Sequence, residues 1–189
     1  MTGAGARLVV VDMQRVFADP QSPWGVAGFT AVVPNVVALL DRFAGRSVFT
    51  RFVAPAHPWG SWREYYRVWD FALRPEAAPL WELDPRVRRD GVPVVDMPTM
   101  SKWGDALRAA TGGGTDLVLC GVSTDCCVLS TALAAADAGA FVRVVADACA
   151  GLSPADSQRA LDAMRLYAPQ IEVVRAADLL TDGAAPGDR

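Results

Sequence analysis

Residues 116–134 read DLVLCGVSTDCCVLSTALA, and the way this stretch folds decides how the rest of the chain is read. Leu117 to Cys120 are apolar without polar alternation, the pattern of a strand buried on both faces of a parallel sheet. Gly121 ends the run. Ser123, Thr124 and Asp125 are small oxygen-bearing residues of the kind that cap a helix start, and residues 128–138 supply an Ala-rich helix. Cys126 and Cys127 then fall in the first helical turn, just past the carboxyl end of a strand. Unpaired N–H groups and the helix dipole favour a thiolate there and can hold a developing oxyanion. The two cysteines equally fit a plainer role as small buried hydrophobes.

Outward from this unit, the same alternation recurs. Apolar runs at 7–13 (RLVVVDM), 47–53, 92–97, 140–146 and 171–175 read as five further strands. Val33, Val36, Val37, Leu40 and Phe43 fall at helical spacing within a helix over 30–43, and a second helix is expected over 105–110. Ser153 as N-cap, Pro154 at N1 and Asp156 at N3 open another. Strands alternating with helices predict a parallel sheet covered on both faces. In such sheets ligands bind outside the carboxyl ends of the strands, so Asp12, closing the first run, stands where chemistry is expected; it equally suits a turn-capping role.

The 189 residues, 52% hydrophobic, suffice for one sizeable core, and a single domain over 1–189 is expected, with 182–189 as a frayed tail. A net charge of −3 offers no footprint for nucleic acid or an anionic membrane. The first six residues lack a basic segment followed by an apolar one, no stretch approaches membrane-spanning length, and a cytoplasmic location is expected. Cys120, Cys126, Cys127 and Cys149 are not spaced as a zinc site and are expected to be free thiols. His57 is the only histidine, in a Pro-rich loop (APAHPWG). Lys102 is the only lysine among 18 basic residues, which marks an amine that guanidinium does not replace. As a loop side chain it is expected to add little to stability.

The segment 57–83 is irregular and rich in aromatic residues. Trp62, Tyr65, Tyr66 and Trp69 occupy i, i+3, i+4 and i+7 and line one face of a short helix. Ordinary packing, a lid over a pocket and a subunit interface all remain open for this face.

VVVDMQRVF (residues 9–17), GVSTDCCV followed by Ser130 and Thr131, and VVADA (residues 144–148) resemble, in this order and spacing, the isochorismatase-like cysteine hydrolase family over nearly the whole chain. The resemblance implies an α/β fold, a three-layer α/β/α arrangement around a six-stranded parallel sheet of Rossmann-like topology. It implies an Asp-Lys-Cys triad with Cys127 as nucleophile and Asp12 as acid and base. It also implies a cis peptide at Val122 to Ser123, with the backbone N–H groups of Ser123 and Cys127 as oxyanion hole. Cys126 falls at a variable position of the family and is read as structural.

Two departures from the family pattern stand out. The metal-bearing branch carries an Asp-x-His pair after the second strand, but the segment here reads TRFVAPAHPWGSW (residues 50–62), so no metal or other cofactor is expected. The family lysine ends the third strand; in DMPTMSKWG (residues 96–104) that position is Met97, and Lys102 follows five residues later. Lys102 reaching back into the site is the favoured reading. The expected activity is metal-independent hydrolysis of an amide-like C–N bond of a small molecule through a thioester on Cys127, since family members without this cysteine cleave a vinyl ether. Phe17, Trp24, Trp62 and Trp103 are candidate substrate walls, and a homo-oligomer, dimer or tetramer, is expected. The alternative is a catalytically impaired relative, marked by Met97, that binds a small molecule or a partner.

Overall fold

In the computed structural model, which describes residues 5–181, six parallel strands lie in the order β3-β2-β1-β4-β5-β6. They are β1 (Arg7–Val11), β2 (Ser47–Phe52), β3 (Val94–Met97), β4 (Asp116–Val122), β5 (Phe141–Ala150) and β6 (Ile171–Val174). The expected tail at 182–189 lies outside the described residues. The central strands are covered on both sides: Leu8 to Val11 in β1 and Leu117 to Cys120 in β4 are fully buried. That is why these segments carry no polar alternation.

Between β1 and β2 come α1 (Arg15–Ala18) and α2 (Phe29–Arg42), and between β2 and β3 comes α3 (Trp62–Val68), followed by two short 3₁₀ segments. The other helices are α4 (Asp105–Ala110), α5 (Leu129–Asp137), α6 (Pro154–Arg165) and α7 (Ala176–Leu180). α2 and α7 pack on one face of the sheet, and α5 and α6 on the other, which gives three layers. The order of the strands reverses between β1 and β4. Right-handed crossovers place the connections from β1 and from β4 on opposite faces, so a crevice opens at the carboxyl ends of these two strands.

Three local details depart from the sequence expectation. The turn after β4 is not the start of an α-helix but a π-helical turn, Thr124–Val128, in which the carbonyl of Ser123 accepts from the N–H groups of Cys126 and Val128, both at 3.1 Å. Ser123 does not cap it: its hydroxyl donates to the Asp125 carboxylate, which accepts the Leu152 N–H at 3.1 Å. These side chains tie the turn to the loop after β5 instead of closing a helix end. β5 itself runs beyond Asp147, because Leu119 and Gly121 pair with Val144 and Cys149 and the residues between bulge outward. Asp147 sits in that bulge and accepts the Ala176 N–H at 2.7 Å. Ser153 caps α6 as expected, accepting from the Asp156 N–H at 3.1 Å.

Candidate active site

The crevice is built by backbone constraints before any side chain is placed in it. Gly121 has φ +117°, and a Cβ on it would lie 2.1 Å from the Val11 carbonyl oxygen. Only glycine lets the ends of β1 and β4 approach this closely. The peptide that follows, Val122 to Ser123, is cis. Asp12, the first residue past β1, has φ +48°, a conformation tolerated by aspartate, and its N–H donates to the Thr50 carbonyl at 3.2 Å. These features turn Asp12 and Cys127 towards one another.

Asp12 and Lys102 are both fully buried, and Lys102 Nζ lies 3.0 Å from Asp12 Oδ2. The ammonium also donates to the Thr99 carbonyl at 2.6 Å and stands 4.6 Å from the centre of the Phe52 ring. The Lys102 N–H donates to Thr131 Oγ1 on α5 at 2.9 Å, which anchors the loop after β3 and sends the side chain back under the sheet edge. Lys102 therefore reaches Asp12 from a loop although β3 ends in Met97. The premise behind the small contribution expected of it, a side chain outside the core, is overturned: a loop position in sequence is a core position in space. Asp12 Oδ1 accepts from Thr50 Oγ1 at 2.7 Å. Sequence reasoning did not single out Thr50; the signal was a hydroxyl following the apolar pair Val48 and Phe49 within β2.

Cys127 is 3% exposed. Burial pushes its thiol well above the ordinary cysteine value; the Asp12 carboxylate, which also accepts a hydrogen bond from it, pushes the same way, and Lys102 opposes them. Burial here works against the thiolate that a helix N-terminus favours, because it takes the charge away from water.

Above this trio lies a cavity of about 260 Å³ lined by Phe17, Pro23, Trp24, Val26, Phe52, Tyr65, Trp69, Met100, Ser123, Cys126, Cys127 and Leu152. Trp24 is its hub. The rings of Phe17, Phe52, Tyr65, Trp69, Phe71 and Trp81 lie with centroids 5.1 to 6.3 Å from it. Gln14, fully buried, exchanges hydrogen bonds with both backbone groups of Phe52 and donates to the Trp81 carbonyl at 2.8 Å, which fixes the wall next to Lys102.

Of the expected walls, Phe17 and Trp24 line the cavity. Trp62 and Trp103 do not: Trp62 packs at a tilt against Phe52 and Tyr66, and Trp103 is partly buried against the core. Their places are taken by Tyr65 and Trp69, two other members of the same helical stripe, so α3 and the residue that caps its end contribute part of the pocket. Cys126, read as structural from sequence, has its side chain on the cavity and is partly exposed. His57 lies elsewhere, in a surface depression with Pro58, Arg63, Tyr66, Arg67 and Leu73.

The match to known proteins runs along the elements that build this crevice. The chain of a cysteine hydrolase from Pseudomonas syringae pv. phaseolicola 1448A superposes with a TM-score of 0.81 at 22% identity, covering 95% of this chain and 93% of that one. The zinc complex of the pyrazinamidase of Pyrococcus horikoshii superposes at 0.70 with 28% identity, covering 90% and 99%. Isochorismatase domain-containing protein 2 of Xenopus laevis is 51% identical over 49 residues, 26% of this chain and only 24% of that protein. Among the described residues no three of His, Cys, Asp and Glu stand together as possible ligands of a metal ion. No helix among them is long and apolar enough to cross a membrane. The isochorismatase domain itself matches residues 6–178, the span that holds all six strands, Asp12, Lys102 and Cys127, and the chain belongs to the isochorismatase family of hydrolases.

Proposed function

We propose that the protein is a metal-independent cysteine hydrolase that cleaves the C–N bond of a small amide through a thioester on Cys127. The observation that carries this reading is the buried Lys102 ammonium 3.0 Å from Asp12, with the charges of both acting on the Cys127 thiol beneath an apolar cavity. A core charge pair is costly to desolvate, and a protein that only bound apolar ligands would gain nothing by keeping one. This weighs against the non-catalytic binding relative that Met97 suggested.

The chemistry follows from the groups. The substrate carbonyl enters the cavity and lies against the N–H groups of Ser123 and Cys127. Asp12 accepts the thiol proton as Sγ attacks, so the thiolate forms only as its charge passes to the oxyanion. Lys102 holds Asp12 in place and offsets the negative charge that is passed between carboxylate, sulfur and oxygen. Asp12 then returns the proton to the departing nitrogen, and the C–N bond breaks. Water, deprotonated by Asp12, attacks the thioester; the C–S bond breaks, releasing the acid and restoring the thiol.

Incubation with a panel of small amides, ureas and carbamoyl compounds, followed by ammonia release and mass spectrometry of the intact protein, tests the reading. A covalent acyl adduct on the Cys127 peptide with amine release is the expected result. Turnover that persists in Cys127→Ala, or ammonia release with an adduct on Cys126 instead, overturns it.

A further inference from the structure

We infer that the cavity accepts uncharged amides with a compact hydrocarbon acyl group and rejects the same skeleton bearing a carboxylate, and that its uncharged wall, with Leu152 at the mouth, sets this selectivity. The word amide rests on the hydrolase reading above; the discrimination against charge rests on the cavity wall alone.

None of the residues lining the cavity is Asp, Glu, Lys, Arg or His. The ion pair beneath it, Asp12 with Lys102, is fully buried and already matched in charge. Tyr65 is held neutral because burial pushes its phenol up. Outside the Ser123 to Cys127 turn, where the carbonyl must lie, an acyl group in this space meets rings and alkyl chains whose polar groups, such as the Tyr65 hydroxyl and the unpartnered Trp24 Nε1–H, are uncharged. A carboxylate on the far end of the substrate would lose its water and find no cation. That cost exceeds what hydrocarbon contacts return. The volume of about 260 Å³ equals that of roughly nine liquid waters and falls just under the range of drug-sized pockets, which suits an amide with a single ring or a branched alkyl group. Leu152 lines the cavity yet is 55% exposed, so it stands at the mouth, where a substrate's distal substituent passes.

The test uses the unmodified protein and two ketones that carry no leaving nitrogen, acetophenone and 4-acetylbenzoate, with 4-nitroacetophenone as the neutral molecule of the carboxylate's size, read by quenching of tryptophan fluorescence. The corresponding amides, benzamide and 4-carbamoylbenzoate, are assayed for turnover in parallel. A hydrophobic pocket disfavours even a misplaced hydroxyl by about 100-fold, so the neutral ketones should bind at least about 100-fold more tightly than the carboxylate. Leu152→Arg should narrow that ratio at least tenfold by supplying a cation at the mouth; Met100→Arg, from the loop after β3, is the second variant should the first not fold. Comparable binding of 4-nitroacetophenone and 4-acetylbenzoate, or failure of all three to bind, overturns the inference. Preferential binding of the neutral ketones with no turnover of either amide upholds the charge selectivity and removes the hydrolase reading instead.

Discussion

Replacing Lys102 by methionine probes fold and chemistry together. The side chain is fully buried, with its ammonium 3.0 Å from Asp12 and 4.6 Å from the Phe52 ring centre. Methionine fills much of the volume but leaves the Asp12 carboxylate with Thr50 Oγ1 as its remaining side-chain partner besides the Cys127 thiol. Removing one member of a buried ion pair costs about 3–5 kcal/mol, because the other is left desolvated. For a chain of this length each kcal/mol lowers Tm by about 2–4 °C, so Lys102→Met should melt roughly 6–20 °C below the parent. Amide turnover should vanish with it. Adding Asp12→Asn removes the orphaned charge, and the double variant should regain most of the lost stability while staying inactive; that non-additivity measures the pair itself. Lys102→Arg should also lose turnover, since a planar guanidinium does not fit an enclosure shaped around an ammonium. Thermal melts by circular dichroism and an ammonia-release assay read both effects. A Lys102→Met protein that melts within about 2 °C of the parent and keeps full turnover would refute the argument and return Lys102 to the status of an ordinary loop cation.

Burial holds Cys120, Cys127 and Cys149 above the ordinary thiol value, Cys149 at about 12. The folded chain therefore keeps protons that the unfolded chain releases, so stability is full below about pH 8.5 and falls as pH rises past it, by up to about 1.4 kcal/mol per pH unit per thiol. Urea midpoints should drop steadily between about pH 8 and 10, less steeply in Cys149→Ala, and a flat profile would contradict the burial argument. Gly121→Ala drives a Cβ to 2.1 Å from the Val11 carbonyl and should cost at least about 4 kcal/mol or prevent folding, whereas Gly113→Ala, with nothing within 4 Å, should cost only about 1–2 kcal/mol for its φ of +73°. Equal urea midpoints for the two variants would count against the close approach of β1 and β4. Thr50→Val keeps the shape of β2 but takes the 2.7 Å donor from Asp12, with an expected loss of about 1–3 kcal/mol and slower turnover; unchanged melting and rate would show that Thr50 does not position the carboxylate.

What the sequence determined by itself was whatever depends on short-range pattern. Uninterrupted apolar runs marked β1 and β4 because strands covered on both faces have no polar side to display, and the Ser153, Pro154 and Asp156 spacing marked the start of α6 because capping is local. Asp12 and Cys127 were legible for a related reason: each follows a strand at its carboxyl end, and the parallel sheet brings such ends to one edge. Other features depended on groups far apart in the chain. That Lys102 reaches Asp12 although β3 ends in Met97 follows from Thr131 on α5 holding the loop and from Asp12 drawing the ammonium inward. The helical stripe of aromatic residues was visible, but which of its members face the cavity was decided by how α3 packs on Trp24 and Phe52, and that favoured Tyr65 and Trp69 over Trp62. The protonation of Cys127 was beyond the sequence for the same reason. A helix start can be read from four residues, but the loss of water around a thiol is a property of every element packed against it.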